Sequence, residues 1–169
     1  MEIEIVALGI ALTALLLAIY AVMSKTKTAP PIPATTNDGF QTTPLKLQAY
    51  ERLALLCERI ALPALISRSM DNNLSAGAMK SRMLQHIKDE FEHNTTQQIY
   101  VSTITWDAVN NLKDQNMLII NQVANVLPPE ATAADLSKHI LQVVSAGDGQ
   151  PLHQIVLEAL RFEAKKLMP

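Results

Sequence analysis

The stretch LKLQAYERLALLCERIAL, residues 45–62, decides the fold class. Its apolar side chains recur every three or four residues, which is the period that places them on one face of an α-helix. The charged side chains between them fall mostly elsewhere. The pattern predicts an amphipathic helix that begins near Pro44 and breaks or kinks at Pro63. Its inward positions are Leu47, Tyr50, Leu53, Ala54, Cys57, Ile60 and Ala61.

Two helices are predicted directly after the proline. Pro63 suits the first turn of a short helix over residues 64–70, because a first-turn proline lacks only an N–H that has no partner in the helix. Ser75 is placed to cap a longer helix that runs to about His93. The apolar positions of this longer helix are Met79, Met83, Leu84, Ile87 and Phe91.

Residues 94–105 are rich in Thr, Ile, Tyr and Val, which favour strands, but one strand without a partner cannot form a sheet. We therefore predict that helix continues through Val101 and that an irregular join leads to a new helix at Thr105. This helix ends at Leu127, before Pro128. Its inward positions are Trp106, Val109, Leu112, Met117, Ile120, Val123 and Ala124.

Two further helices complete the chain. Thr132 and Asp135 have the spacing of a capping box, with Asp in place of Glu, and Pro151 starts the last helix. The inward positions are Leu136, Ile140, Val143 and Val144 in the first, and Leu152, Ile155, Val156, Leu160 and Ala164 in the second. Aromatic residues make up only 4% of the chain, which also favours helices over a β-sandwich. The predicted class is all-α, a compact bundle of four or five amphipathic helices.

Upstream of the bundle lies the uncharged run IVALGIALTALLLAIYAVM, residues 5–23. At ~1.5 Å of rise per residue it is long enough to cross a hydrocarbon core of ~30 Å, so we predict a single transmembrane helix. A cleaved signal peptide is the alternative, but the start is acidic and the cleavage site poor. The predicted membrane anchor residues are Ile5, Leu8, Leu12, Leu16, Ile19 and Met23.

Charged residues on either side of this run predict its orientation. Glu2 and Glu4 precede it and Lys25 and Lys27 follow it. Lysine is retained on the cytoplasmic side, so the N-terminus is expected outside and the C-terminal domain in the cytoplasm. The predicted domains are a transmembrane anchor, 1–24, a flexible Pro/Thr-rich linker, 25–43, and a cytoplasmic helical domain, 44–169.

The charge balance disfavours two classes of partner. Fourteen Lys and Arg follow the anchor, and the sixteen acidic residues less Glu2 and Glu4 also leave fourteen. A neutral domain without a basic run predicts no nucleic acid partner and no polybasic surface for anionic lipid. Cys57 is the only cysteine, so an intramolecular disulfide and a Cys-rich zinc site are both excluded.

The segment 86–93, HIKDEFEH, carries the sharpest candidate for a metal site. Glu90 and His93 have the Glu-x-x-His spacing of di-iron helical bundles, and His86 lies four residues before Glu90. A di-iron site needs a second such motif and two more glutamates, and no second motif exists in this sequence. A solvated polar helix face is the preferred interpretation, and a metal site at Glu90, His93 and His86 is the weaker alternative.

The helix predicted from Thr105 has an amide-rich polar face with almost no charge. Uncharged amides cost less to desolvate than charged groups, which suits a protein contact. We therefore predict a partner surface, for another protein or a second copy of the chain, that includes Asn111, Gln115 and Gln122. No nucleophile elbow, phosphate loop or dinucleotide fingerprint occurs, so no catalytic residue and no cofactor is predicted.

Three runs of the sequence carry a family resemblance: YERLALLCERIALPALISR (50–68), IKDEFEHNTTQQIYVS (87–102) and INQVANVLPPEA (120–131). With the anchor and the proline-rich linker, they resemble an uncharacterised family of small membrane-anchored helical proteins from Bacteroidetes-type bacteria. The resemblance implies a bacterial inner membrane and a cytoplasmic domain, and it implies no activity. The favoured function is a membrane-tethered, non-enzymatic interaction or scaffold protein, and the alternative is a metal-binding or enzymatic bundle around Glu90 and His93.

Overall fold

The computed structural model of this chain describes residues 38–146 and 149–168. This part is all-α, as predicted, and contains no β-strand. Its elements are α1 (Asp38–Ile60), α2 (Leu62–Ser69), α3 (Ala76–Asn94), a 3-10 helix (Thr95–Ile99), α4 (Thr103–Val126), α5 (Ala133–Ser145) and α6 (Leu152–Lys165).

The predicted membrane anchor lies outside the described residues, as do its flanking Lys25 and Lys27 and the linker up to residue 37. Among the helices that are described, none is both long and apolar enough to cross a membrane. Helix α1 begins at Asp38 rather than near Pro44, so the last part of the predicted linker is helical and Pro44 lies inside the helix.

The predicted break at Pro63 separates α1 from α2. Helix α1 ends at Ile60, and Pro63 lies in the first turn of α2, where its missing N–H costs nothing. In a continuous helix that N–H would donate to the carbonyl of Arg59, four residues earlier, so the proline leaves this carbonyl without its usual partner.

Capping residues fix where α3 and α5 begin. Ser75 Oγ accepts a hydrogen bond from the backbone N–H of Ala78 at 3.2 Å, and Thr132 and Asp135 form the predicted capping box. Ser75 and Thr132 also form an antiparallel β-bridge that joins the two helix starts. The sequence did not indicate this bridge, because its two partners come from distant segments.

The segment 94–105 is helical for part of its length. Residues Thr95–Ile99 form the 3-10 helix, and Ser102 caps α4 by accepting from the N–H of Thr105 at 3.2 Å. Helix α4 therefore starts at Thr103, slightly before the predicted start.

One apolar core is enclosed by all six helices, with α3 and α4 packed against each other at its centre. Most predicted inward positions are buried or partly buried. Three are exposed: Val143 is 49% exposed, Leu152 38% and Ile155 49%. Helix α5 buries only the narrow face of Ala133, Leu136, Ser137 and Ile140. Helix α6 buries the predicted Val156 and Leu160, together with Leu157, which was not predicted.

Candidate functional site

Glu90 lies on α3 and faces the break between α1 and α2. Its Oε1 atom is 2.6 Å from Arg59 Nε and 3.5 Å from Arg68 Nη1. Arg68 also donates from Nη2 to the carbonyl of Arg59, the group that Pro63 leaves without its helical partner. Glu90 therefore joins two guanidinium groups across the break, which is a structural role for this carboxylate.

The two predicted histidine partners of Glu90 lie in different surroundings. His86 Nδ1 is 3.3 Å from Ser69 Oγ, and His93 is exposed. Within residues 38–146 and 149–168, no three or more His, Cys, Asp or Glu side chains are grouped so that they could hold a metal ion. Glu90 and His93 do line one groove of about 400 Å³, which we name the α1–α3 groove; its wall also includes Gln48, Arg52, Arg59 and Asn94.

The amides of α4 divide into two groups. Asn116 is buried and donates from Nδ2 to the carbonyl of Ile60 at 2.7 Å, which satisfies the last carbonyl of α1. Asn110 and Asn121 each bond to the carbonyl four residues before them on α4 itself. Asn125 Oδ1 accepts from Lys80 Nζ at 3.5 Å. These four amides are paired within the fold.

The second group is the predicted partner surface. Asn111, Gln115 and Gln122 are exposed, and in the described part of the chain their side chains form no hydrogen bond. Leu118, 47% exposed, and Val126, 79% exposed, lie on the same face. The spacings of four, three, four and four residues place all five side chains in one line along the helix. We name this line the α4 strip: Asn111, Gln115, Leu118, Gln122 and Val126.

A largely apolar groove of about 280 Å³ lies beside the α4 strip. Gln115 belongs to both, and Ile119 forms the adjoining wall. The groove continues onto α2, α5 and α6 through Leu62, Val144, Leu152 and His153. The exposed side chain of Leu152, which was predicted to lie in the core, therefore faces this groove.

A polar cluster at the start of α4 was not predicted. Glu163 on α6 accepts from Tyr50 Oη at 2.7 Å and from Ser102 Oγ at 2.7 Å. Burial raises the pKa of Glu163, but hydrogen bonds from Ser102, Tyr50 and Thr105 outweigh it, so the net shift is downward. Burial, with the adjacent Glu163 carboxylate, raises the pKa of Tyr50 to about 12.

This cluster joins three helices around an ionised carboxylate. Ser102 is also the cap of α4, so the carboxylate of Glu163 lies at the positive end of that helix. The thiol of Cys57 is not part of this cluster. Burial raises the pKa of this thiol to about 12, as expected for a core cysteine.

Residues 1–167 match the family of unknown function DUF7935. The chain belongs to this family. No curated protein and no solved structure matches it significantly. The resemblance to an uncharacterised family is thus confirmed, and membership in DUF7935 assigns no chemical role to any residue.

The exposed amides of this DUF7935 chain could be predicted from its sequence, and the Glu163 cluster could not. Tyr50 and Ser102 are 113 and 61 residues from Glu163 along the chain. No local spacing connects them, and only the Ser-x-x-Thr start of α4 could have identified Ser102 as a cap.

Proposed function

We propose that this protein is a membrane-tethered, non-enzymatic interaction or scaffold protein, and that the α4 strip binds a protein partner or a second copy of the chain. The observation that carries the proposal is the strip itself, in which three amides that bond to no described residue lie in one line with exposed Leu118 and Val126. The five residues of the strip are uncharged, and exposed Asp114, which pairs with Lys113 at 3.1 Å, lies at its edge between Asn111 and Leu118.

The composition of the α4 strip favours a protein contact on energetic grounds. Removing an amide from water costs less than removing a charge, and exposed aliphatic side chains gain from burial. The strip spans residues 111–126, or roughly 22 Å at ~1.5 Å per residue. With the adjoining groove it provides a continuous docking face, and Gln115 is common to both.

The proposed location is a bacterial inner membrane, with residues 5–23 as the single span. The acidic N-terminus would lie outside, and Lys25, Lys27 and the helical domain would lie in the cytoplasm. A reporter enzyme fused after Pro169 should be active when it requires the cytoplasm and silent when it requires the periplasm. The reverse pattern would invert the topology.

The partner surface is tested by changing its charge without changing the fold. In the full chain, the triple variant Asn111→Glu, Gln115→Glu and Gln122→Glu should lose partner or self-association in affinity capture from the native membrane. The control makes the same three changes at exposed amides on other elements: Gln48→Glu, Gln98→Glu and Gln142→Glu. Because both variants gain the same charge, a loss confined to the first identifies the α4 strip.

Two outcomes would contradict this proposal. If both triple variants keep every captured protein, the α4 strip is not a docking face. If both lose association equally, added charge rather than the position of the amides is responsible. Circular dichroism of each variant checks that the helical content is unchanged.

A metal-binding or enzymatic role is the second candidate, and one observation favours it. Glu90 and His93 share the α1–α3 groove with two arginines. The test is metal analysis of the full chain purified without chelators. Stoichiometric iron, manganese or zinc that is lost in Glu90→Ala but retained in the neighbouring Asp89→Ala would favour this role over the interaction role.

A further inference from the structure

Helix α6 is apolar on two opposite faces. One face contributes Leu157 and Leu160 to the core. Ile155, 49% exposed, and Phe162, 64% exposed, belong to the other face. Because ~3.6 residues make one turn of a helix, Ile155 and Phe162 project on the same side, and this side is nearly opposite to Leu157 and Leu160. The second apolar face of α6 is therefore exposed.

This exposed face has the residue spacing of a coiled coil. Ile155, Ala159, Phe162 and Lys166 follow one another at intervals of four, three and four residues, as the inward positions of paired helices do. Ala159 is half-buried and Lys166 is exposed. Lys166 Nζ lies 4.1 Å from the centre of the Phe162 ring, so the apolar methylene chain of Lys166 extends towards this ring. We name these four residues the α6 seam.

The α6 seam is prepared for a helical partner. An aromatic and a branched aliphatic side chain that leave water together on one face gain free energy. The helix is already held by the bundle on its other face, so its backbone needs no further ordering when a partner binds. The size and the charge of the side chains on and beside the seam indicate which helix would fit it.

The sizes of the side chains match when two copies of the seam run antiparallel. With the two-fold axis near residues 160 and 161, Phe162 of each copy faces Ala159 of the other, and Ile155 faces the methylene chain of Lys166. A large side chain thus meets a small one in both central layers. A parallel pair would instead place Phe162 against Phe162, Ala159 against Ala159, and the two ammonium groups of Lys166 against each other.

The charges beside the seam are complementary in the same antiparallel arrangement. Glu158 and Lys165 are both exposed and lie seven residues apart along one side of the seam. In the antiparallel pair, Glu158 of each copy lies beside Lys165 of the other, which gives two pairs of opposite charges. Glu158 Oε1 accepts from Gln150 at 2.9 Å, and within the described residues Lys165 forms no ion pair. Exposed pairs of this kind fix the register of two helices and contribute little to stability.

We propose that the α6 seam is the interface of a homodimer, in which the α6 helices of two copies pack antiparallel about a two-fold axis. The seam shares no residue with the α4 strip, so this interface is additional to the one in the proposed function. It spans only residues 155–166, and small interfaces are typical of weak complexes, so the dimer should dissociate on dilution.

The test introduces two cysteines beside the seam in the full chain, Glu158→Cys together with Lys165→Cys. Cys57 is completely buried, so the new thiols are the ones that react. The antiparallel pair brings residue 158 of one copy next to residue 165 of the other, so mild oxidation of the concentrated protein should give a covalent dimer on a non-reducing gel. Within one copy the two positions lie ~10 Å apart along the helix, which is too far for a disulfide.

Two controls make the disulfide specific for the antiparallel arrangement. Each single variant, Glu158→Cys or Lys165→Cys, should stay monomeric, because the two copies of either residue lie ~10 Å apart along the antiparallel pair. The double variant Lys138→Cys with Ser145→Cys has the same spacing on exposed positions of α5 and should also stay monomeric.

A further substitution tests the contribution of the apolar residues of the seam. Phe162→Glu, added to the Glu158→Cys and Lys165→Cys chain, should abolish the covalent dimer, because the two added carboxylates would be buried in the interface. The matched change Ile104→Glu replaces another exposed apolar side chain, 79% exposed on α4, and should leave the dimer unchanged.

Three outcomes would overturn the α6 dimer. The first is that the Glu158→Cys and Lys165→Cys chain gives no covalent dimer. The second is that the single variants or the α5 control give as much dimer as this chain, which would indicate random collision. The third is that the dimer survives Phe162→Glu. The triple variant of the α4 strip, which tests the proposed function, should leave this dimer intact, so the two proposals can fail independently.

Discussion

Gln115 and Asn116 are consecutive residues of α4, and their carboxamide side chains lie in opposite environments. Asn116 is 5% exposed and donates to the last carbonyl of α1 at 2.7 Å. Gln115 points to solvent and, in the part of the chain that the structure describes, has no hydrogen-bond partner. The difference separates the polar groups that the fold requires from those that it leaves available.

The α1–α2 break, next to Asn116, and the α4 strip, which contains Gln115, differ in the same way among the described residues: polar groups are paired in the first and unpaired in the second. At the break between α1 and α2, the two carbonyls near Pro63 are satisfied by Arg68 and Asn116, and Glu90 joins Arg59 to Arg68. Along the α4 strip, the three amides form no hydrogen bond with any residue that the structure describes. Buried polar groups without partners are costly, whereas exposed unpaired amides are not, so the strip is free to have a role outside the fold.

The largest expected effect is that of Asn116→Ala. Removing this amide leaves the Ile60 carbonyl buried without its donor and opens a small cavity, so the free energy of unfolding should fall by about 2–3 kcal/mol. The matched change Gln115→Ala should alter it by less than about 0.5 kcal/mol. Urea unfolding of the detergent-solubilised chain, followed by circular dichroism, measures both.

Equal losses in these two variants would contradict the comparison, because they would mean that Gln115 also contributes to the fold. Asn116→Asp provides a further check. It has nearly the volume of Asn but cannot donate to a carbonyl when ionised, so it should be at least as destabilising as Asn116→Ala.

A smaller effect is expected for Glu90→Ala. Its partners Arg59 and Arg68 are 47% and 35% exposed in their side chains, so solvent screens the ion pairs and the loss should be about 1 kcal/mol or less. The loss should shrink as salt is added. If a divalent metal ion instead stabilises the natural chain and has no effect on Glu90→Ala, the metal-binding alternative is favoured.

Much of the fold could be predicted from the sequence, because the information that sets it is local. The helical spacing of Leu53, Cys57 and Ile60, the stop at Pro63 and the capping box at Thr132 each act within a few residues. Val143 and Ile155 were placed wrongly because apolar spacing shows which residues share a helix face, and not how wide a face the neighbouring helices cover.

The candidate sites were less predictable, since their partners are distant in the chain. Glu90 is paired by arginines of α1 and α2, and nothing in the spacing of 86–93 distinguishes such a carboxylate from a metal ligand. The exposed amides of α4 were found because their face follows from helical period alone.

Glu163 tests whether pairing, rather than burial, is what divides the two classes of polar group. It is only half-buried, yet Tyr50 and Ser102 both donate to it, and its pKa is lowered in the fold. A lowered pKa stabilises the fold above the unfolded-state pKa of ~4.3, and that contribution is lost as pH falls through the folded value. The free energy of unfolding, measured from neutral pH down into the acid range, should therefore fall more steeply for the natural chain than for Glu163→Gln.

Glu158→Gln, an exposed change on the same helix, serves as the control and should show the same pH dependence as the natural chain. Parallel curves for Glu163→Gln and the natural chain would show that these hydrogen bonds do not favour the carboxylate, and pairing would then no longer distinguish Glu163 from the unpaired amides of the α4 strip.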